Sequence, residues 1–229
     1  MATIPTYMTF KGVKTPGSGI IKTGVAASEI PFGAFVTRSA DGTIKAQVTD
    51  TPYNYLGVAV DDQRQQMPYD GFYAAGKKVP YIATGTANVW LLGGQTINAG
   101  DFVRFPTTLG AGTESLGVVI PEATPATTRT AYSVGRVLET DDAGDANYDQ
   151  LVTSFVGSVV TFDAAATIAH LDLVEGDYVV IDSDEAAEVN RVVDPLTSDT
   201  TITMEKDLLA SHAKNITMYK LVQIEVELI

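Results

Sequence analysis

Residues 97–105 read INAGDFVRF, and the same pattern occurs at 30–38 as IPFGAFVTR and at 173–181 as LVEGDYVVI. Each copy has an aliphatic residue (Ile30, Ile97, Leu173) and, three positions on, a glycine (Gly33, Gly100, Gly176). Two residues later comes an aromatic (Phe35, Phe102, Tyr178), followed at once by valine (Val36, Val103, Val179). Glycine tolerates the positive φ that a tight turn often needs, and an aromatic–valine pair suits a pleated, half-buried surface. The pattern therefore predicts a turn feeding a strand, three times over. It speaks to architecture and not to chemistry.

Strand signals fill the space around these copies. Asp41-Gly42 between FVTR and TIKAQV marks a hairpin. The apolar run Leu56-Gly57-Val58-Ala59-Val60 reads as a buried strand, and Leu116-Gly117-Val118-Val119-Ile120 repeats it; Val134 to Leu138 is a looser third version. Lys78–Ala83 and Ala87–Leu92 are expected as two strands separated by a turn at Gly85. Up to residue 140 no apolar stripe has helical spacing over a useful length. Later, residues 163–170 read as a short helix or continued strand, and 206–214 as a short helix with Leu209 and Ala213 on one face. The chain closes on an alternating strand, YKLVQIEVELI, at 219–229.

These signals predict an all-β protein of two small β-barrel or sandwich domains with at most one or two short helices. Residues 1–20 are expected as an extended N-terminal arm, either frayed or ordered only on a partner. A β-barrel domain is placed at 21–145 and a second β-rich domain at 146–229. The boundary falls in ETDDAGDANYDQ at 139–150, which reads as a linker or as a long loop within one domain.

Composition removes several functions. The chain of 229 residues is 45% hydrophobic and 19% charged, within the range of folded proteins. Its net charge of −13 argues against a nucleic-acid-binding face and against docking on anionic lipid. With no cysteine there is no disulfide, thiolate chemistry or cysteine-ligated metal. The N-terminus lacks a basic region followed by an apolar run, so no signal peptide is expected, and no stretch approaches the ~20 apolar residues of a membrane span.

A search for chemistry yields little. The two histidines, His170 and His212, form no zinc-type pair, and no G-x-S-x-G elbow or phosphate-binding glycine loop exists. Asp145, Asn147 and Asp149 begin a calcium-type loop, but Gln150 replaces the required glycine and Val156 stands in place of the bidentate glutamate. A full loop is excluded; the remaining choices are a weak calcium site or a solvated acidic loop. No catalytic, cofactor or metal residue is assigned, and no enzyme is expected.

The order of the motifs carries a resemblance. A proline- and glycine-rich arm, IPFGAFV, the strand LGVAV, a polar loop, INAGDFV and then LGVVI resemble the capsid decoration (cement) proteins of tailed bacterial and archaeal viruses, over roughly residues 17–140. That resemblance implies a non-enzymatic virion protein on the outer surface of an icosahedral capsid. It implies the major capsid protein as partner, a homo-oligomer (a trimer favoured), no cofactor, no nucleic acid and no membrane. The localisation implied is the capsid surface, after synthesis in the host cytoplasm. Within the arm, Tyr7, Met8, Phe10, Lys11 and Lys14 are the expected capsid-gripping residues, because they combine apolar anchors with positive charge. The alternatives are another virion component (tail, baseplate or fibre-base barrel) or a cellular carbohydrate- or protein-binding module using Trp90.

Overall fold

The computed structural model describes residues 19–46, 55–60, 72–92, 95–106, 117–123, 126–140, 149–162, 173–181, 188–198, 200–208 and 216–229. Among them there are sixteen strands and no helix. In the first part these are β1 (Gly19–Val25), β2 (Ile30–Pro31), β3 (Phe35–Arg38), β4 (Ile44–Ala46), β5 (Tyr55–Ala59), β6 (Phe72–Tyr73) and β7 (Lys78–Leu92). The middle holds β8 (Phe102–Arg104), β9 (Ile120–Pro121) and β10 (Ser133–Thr140). The last part holds β11 (Asp149–Val156), β12 (Val159–Phe162), β13 (Tyr178–Ile181), β14 (Glu188–Ser198), β15 (Thr201–Met204) and β16 (Ile216–Leu228). The fold is all-β, as the strand pattern predicts.

The three motif copies fold alike. Gly33, Gly100 and Gly176 have φ of +78°, +95° and +98°. Each donates its N–H to a carbonyl of a neighbouring segment at 2.8 Å: Ala59, Val137 and Val192 respectively. The N–H of that same neighbour returns to the residue after the glycine, at Ala34 (2.9 Å), Asp101 (2.8 Å) and Asp177 (2.8 Å). In the second and third copies the aspartate also braces the turn, its Oδ2 accepting from the N–H of Asn98 and of Val174, both at 2.8 Å. The first copy has Ala34 there, fully buried, and Gly117 lies against it; a Cβ on Gly117 would sit 2.7 Å from that of Ala34. An aspartate would not fit.

Two long strands connect everything. Residues 78–85 of β7 pair with β1, and Ile82 and Tyr81 pair with Val58 and Ala59 of β5. Residues 86–92 pair with 221–227 of β16. Gly85 is therefore not a turn between two strands. It has φ +114° inside one continuous strand of 15 residues, kept extended because each half has its own partners. Likewise LGVVI is not a full strand. Gly117 turns the chain at φ +77°, and only Val119 bridges Leu91 before the two-residue β9.

The sheet β4–β3–β5–β7 is covered on both sides, its successive residues entering two different cores. Phe35, Val58 and Ile82 face one core together with Val89, Leu91, Val103, Phe105, Val137 and Ile224. Val36, Ala59 and Tyr81 face the other, against Ile30, Phe32 and Tyr73. Phe35 meets Tyr55 and Phe105 edge-on, with centroids 5.4 and 5.1 Å apart.

In the C-terminal part the pairings form a closed circuit: β11 to β12, β12 to β15, β15 to β14, β14 to β13, β13 to β16, and β16 back to β11. Alternate residues point inward, including Val160, Phe162, Val179, Ile181, Ile202, Met204 and Met218. The outward residues Tyr178, Val180 and Val189 pack instead on Phe72, Trp90, Leu92 and Leu221. At this junction the Lys206 ammonium pairs with Glu29 at 2.5 Å and lies 3.5 Å from the centroid of the Phe72 ring.

The helix expected at 206–214 begins in non-helical backbone at 206–208, with a bend at Lys206; its remainder, and the expectation for 163–170, lie outside the described residues.

Candidate interaction surface

Residues 1–18, and with them Tyr7, Met8, Phe10, Lys11 and Lys14, lie outside the described residues, as do His170, His212, Asp145 and Asn147. What the structure places is the strand into which that arm leads. β1 pairs with β7 and is exposed at six of its seven positions, the seventh being half-buried. A strand in a covered sheet alternates between inside and outside. β1 does not: Ile20 is 60% exposed and the adjacent Ile21 58%, so both of its faces are open. Val25 is 42% exposed.

Among described strands of four or more residues, β1 is the one with a single strand partner; its far end is tied by the bridge between Ala26 and Ile44. An open edge of this length with apolar side chains is a surface for another chain. Lys22 on β1 and Lys77 and Lys78 beside Val25 are all exposed and make the edge basic.

The charge of the chain is segregated about this point. Residues 1–92 carry eight Lys and Arg against six Asp and Glu, whereas residues 93–229 carry seven against twenty-two. The acidic bulk of the net −13 is thus contributed beyond β7.

Two buried polar side chains elsewhere, Glu122 and Asn190, have structural partners. Glu122 accepts hydrogen bonds from the hydroxyls of Thr130 and Ser133, each at 2.7 Å, with Arg104 Nε 3.7 Å away. That carboxylate pins the loop 126–133 to β8. Asn190 is fully buried; its Nδ2 donates to Lys206 O, and its Oδ1 accepts from the N–H groups of Arg191 and Lys206. No cluster of three metal-ligating side chains is found among the described residues. Ser158, beside Gly157, lies in the turn between β11 and β12, and its carbonyl accepts from Met204 N–H.

Trp90 is 3% exposed, donates Nε1–H to Phe32 O, and stacks with Tyr178 at 4.8 Å. It is a packing residue and offers no platform for a sugar, which removes the feature on which a carbohydrate-binding reading rested.

Sequence reasoning missed β1 as an exposed edge, because GIIKTGV looks like any buried strand. The consecutive Ile20 and Ile21, breaking alternation beside Lys22, were the available signal.

A family model described as structural cement protein (E217 gp24/Pam3 gp6) matches residues 12–154, well over half of the chain. No curated protein matches. The matched stretch spans the end of the arm, β1, two of the three glycine turns, and every strand through β10. The chain belongs to the phage structural cement proteins and is a virion structural protein that stabilises the capsid.

Proposed function

We propose that this cement protein binds the outer face of the capsid through its basic N-terminal end, with the major capsid protein as partner. What supports the reading is the match to a structural cement protein together with the charge of the chain, basic in its N-terminal residues and acidic after β7. Tyr7, Met8 and Phe10 supply apolar anchors, and Lys11 and Lys14 supply charge. Ordering such an arm costs conformational entropy that contact with the shell returns. The role is structural and not catalytic; it involves no nucleic acid and no membrane, and synthesis takes place in the host cytoplasm. The protein acts as a homo-oligomer, with a trimer favoured, on a tailed virus.

We also propose that 21–145 and 146–229 act as two units that share β16, whose last residues complete the core of the first. Deleting residues 2–18 tests the capsid reading. Capsid binding is lost while the melting transition of the core stays in place; a truncated protein that still saturates capsids would sink it.

A further inference from the structure

Two exposed surfaces of this chain are complementary to one another. The first is the β1 edge: Ile20, Ile21 and Val25 with Lys22, Lys77 and Lys78. The second lies on the C-terminal ring at its glycine turn, where Gly176 and Asp177 exchange backbone hydrogen bonds with Val192. These bonds hold Val174-Glu175 beside Val193-Asp194. Val174 and Val193 are each 38% exposed, and Glu175 and Asp194 are exposed. One surface is thus apolar with lysines, the other apolar with carboxylates. In the order of pairing, β7, β16 and β13 stand between β1 and β14.

We infer that the β1 edge of one copy docks on the Val174–Glu175 and Val193–Asp194 surface of a second copy. This rests on the proposed homo-oligomer and names its surfaces. The occupant follows from charge. A symmetric antiparallel β1-to-β1 contact about the middle of the strand would set Lys22 of one copy opposite Lys22 of the other, and like charges directly opposed across strands are destabilising. Among the described residues each strand of the acidic ring already has two strand partners, so the contact is made by side chains, with apolar residues at its centre and ion pairs around it. Two different surfaces meeting make a head-to-tail contact, which closes into a ring when the rotation permits.

The absence of cysteine makes the test clean. Ile21→Cys and Val193→Cys, both at exposed positions, are prepared as separate proteins, mixed and oxidised, free and on capsids. The expected product is a covalent dimer of one Ile21→Cys chain with one Val193→Cys chain, in large excess over either self-dimer. Charge reversal supplies the second arm: Lys22→Glu with Lys78→Glu weakens self-association at least tenfold, and adding Glu175→Lys with Asp194→Lys restores it. Dominant self-dimers of Ile21→Cys would overturn the inference in favour of a symmetric contact. An oligomeric wild type without the mixed cross-link overturns it while leaving the oligomer reading intact. A wild type that is monomeric both free and on the capsid overturns both. Loss of capsid binding by the lysine variants with self-association unchanged assigns β1 to the capsid and overturns the inference.

Discussion

In the ring formed by β11 to β16 every strand has a neighbour on each side, whereas in the sheet of residues 19–92 β1 has β7 on one side and no strand of the described residues on the other. Both regions use the same glycine turn, with the same pair of backbone hydrogen bonds. The turn therefore does not determine whether a sheet closes. Closure depends on β16, whose first residues complete the ring through β11 and β13 and whose later residues serve β7 and β10. Strands that already have two partners, as each of β11 to β16 has among the described residues, leave mainly their side chains for contacts with other chains. An open strand remains available for partners.

The largest effect expected from breaking this arrangement is removal of residues 221–229. They lie beyond the family-matched stretch, yet Leu221–Glu227 supply the partner of β7, and Ile224 and Val226 belong to the largest core of the first region. The truncated chain loses cooperative melting in residues 19–140, read by hydrogen exchange. Cooperative folding of a 19–150 fragment alone would show that the first region needs nothing from β16.

Next in size is Gly57→Ala. A Cβ there would overlap the Ile82 carbonyl on the neighbouring strand, in backbone with φ +151°. The expected loss is roughly 3 kcal/mol or more. Gly100→Ala is the sharper companion: its Cβ would meet only the Arg136 guanidinium at 3.7 Å, leaving the positive φ as its cost, about 1–2 kcal/mol. Equal losses would mean that crowding between β5 and β7 is not the main constraint.

Trp90→Ala addresses the junction. It removes the ring that stacks on Tyr178 and should cost about 3–5 kcal/mol. Exchange protection should fall for β13 and β7 together. Confinement of the loss to β7 would separate the ring from the rest energetically.

Asp101→Ala is smaller, about 1 kcal/mol by chemical denaturation, because it removes one side-chain brace from a turn that Ala34 shows can form without it.

The smallest effect concerns Asp41, exposed in the β3–β4 hairpin, whose carboxylate accepts from Thr43 Oγ1 (2.5 Å) and N–H (3.0 Å). The Thr43 hydroxyl first, and then its backbone N–H, hold this carboxyl below its ordinary value. A lowered folded-state value means that its contribution is full above the unfolded value and is lost as pH falls through the folded one. Asp41→Asn should flatten that acid limb slightly and leave neutral-pH stability almost unchanged.

Much of this was legible in the residues. INAGDFVRF and its two relatives encode turns locally, since glycine's freedom and the aromatic–valine pair need no distant partner, and all three form. Asp41-Gly42 fixes its hairpin in the same way. Motif order was sufficient to reach the cement family, and the absence of catalytic patterns pointed away from chemistry. Tertiary structure decided the rest, because strand pairing joins residues far apart in sequence. It made one strand of 78–92 despite Gly85, and it hid Trp90 beneath Tyr178. It gave β16 to both regions and left Ile20 and Ile21 in the open. Local preference sets how a segment bends; whether that segment is covered depends on which distant strand lies beside it.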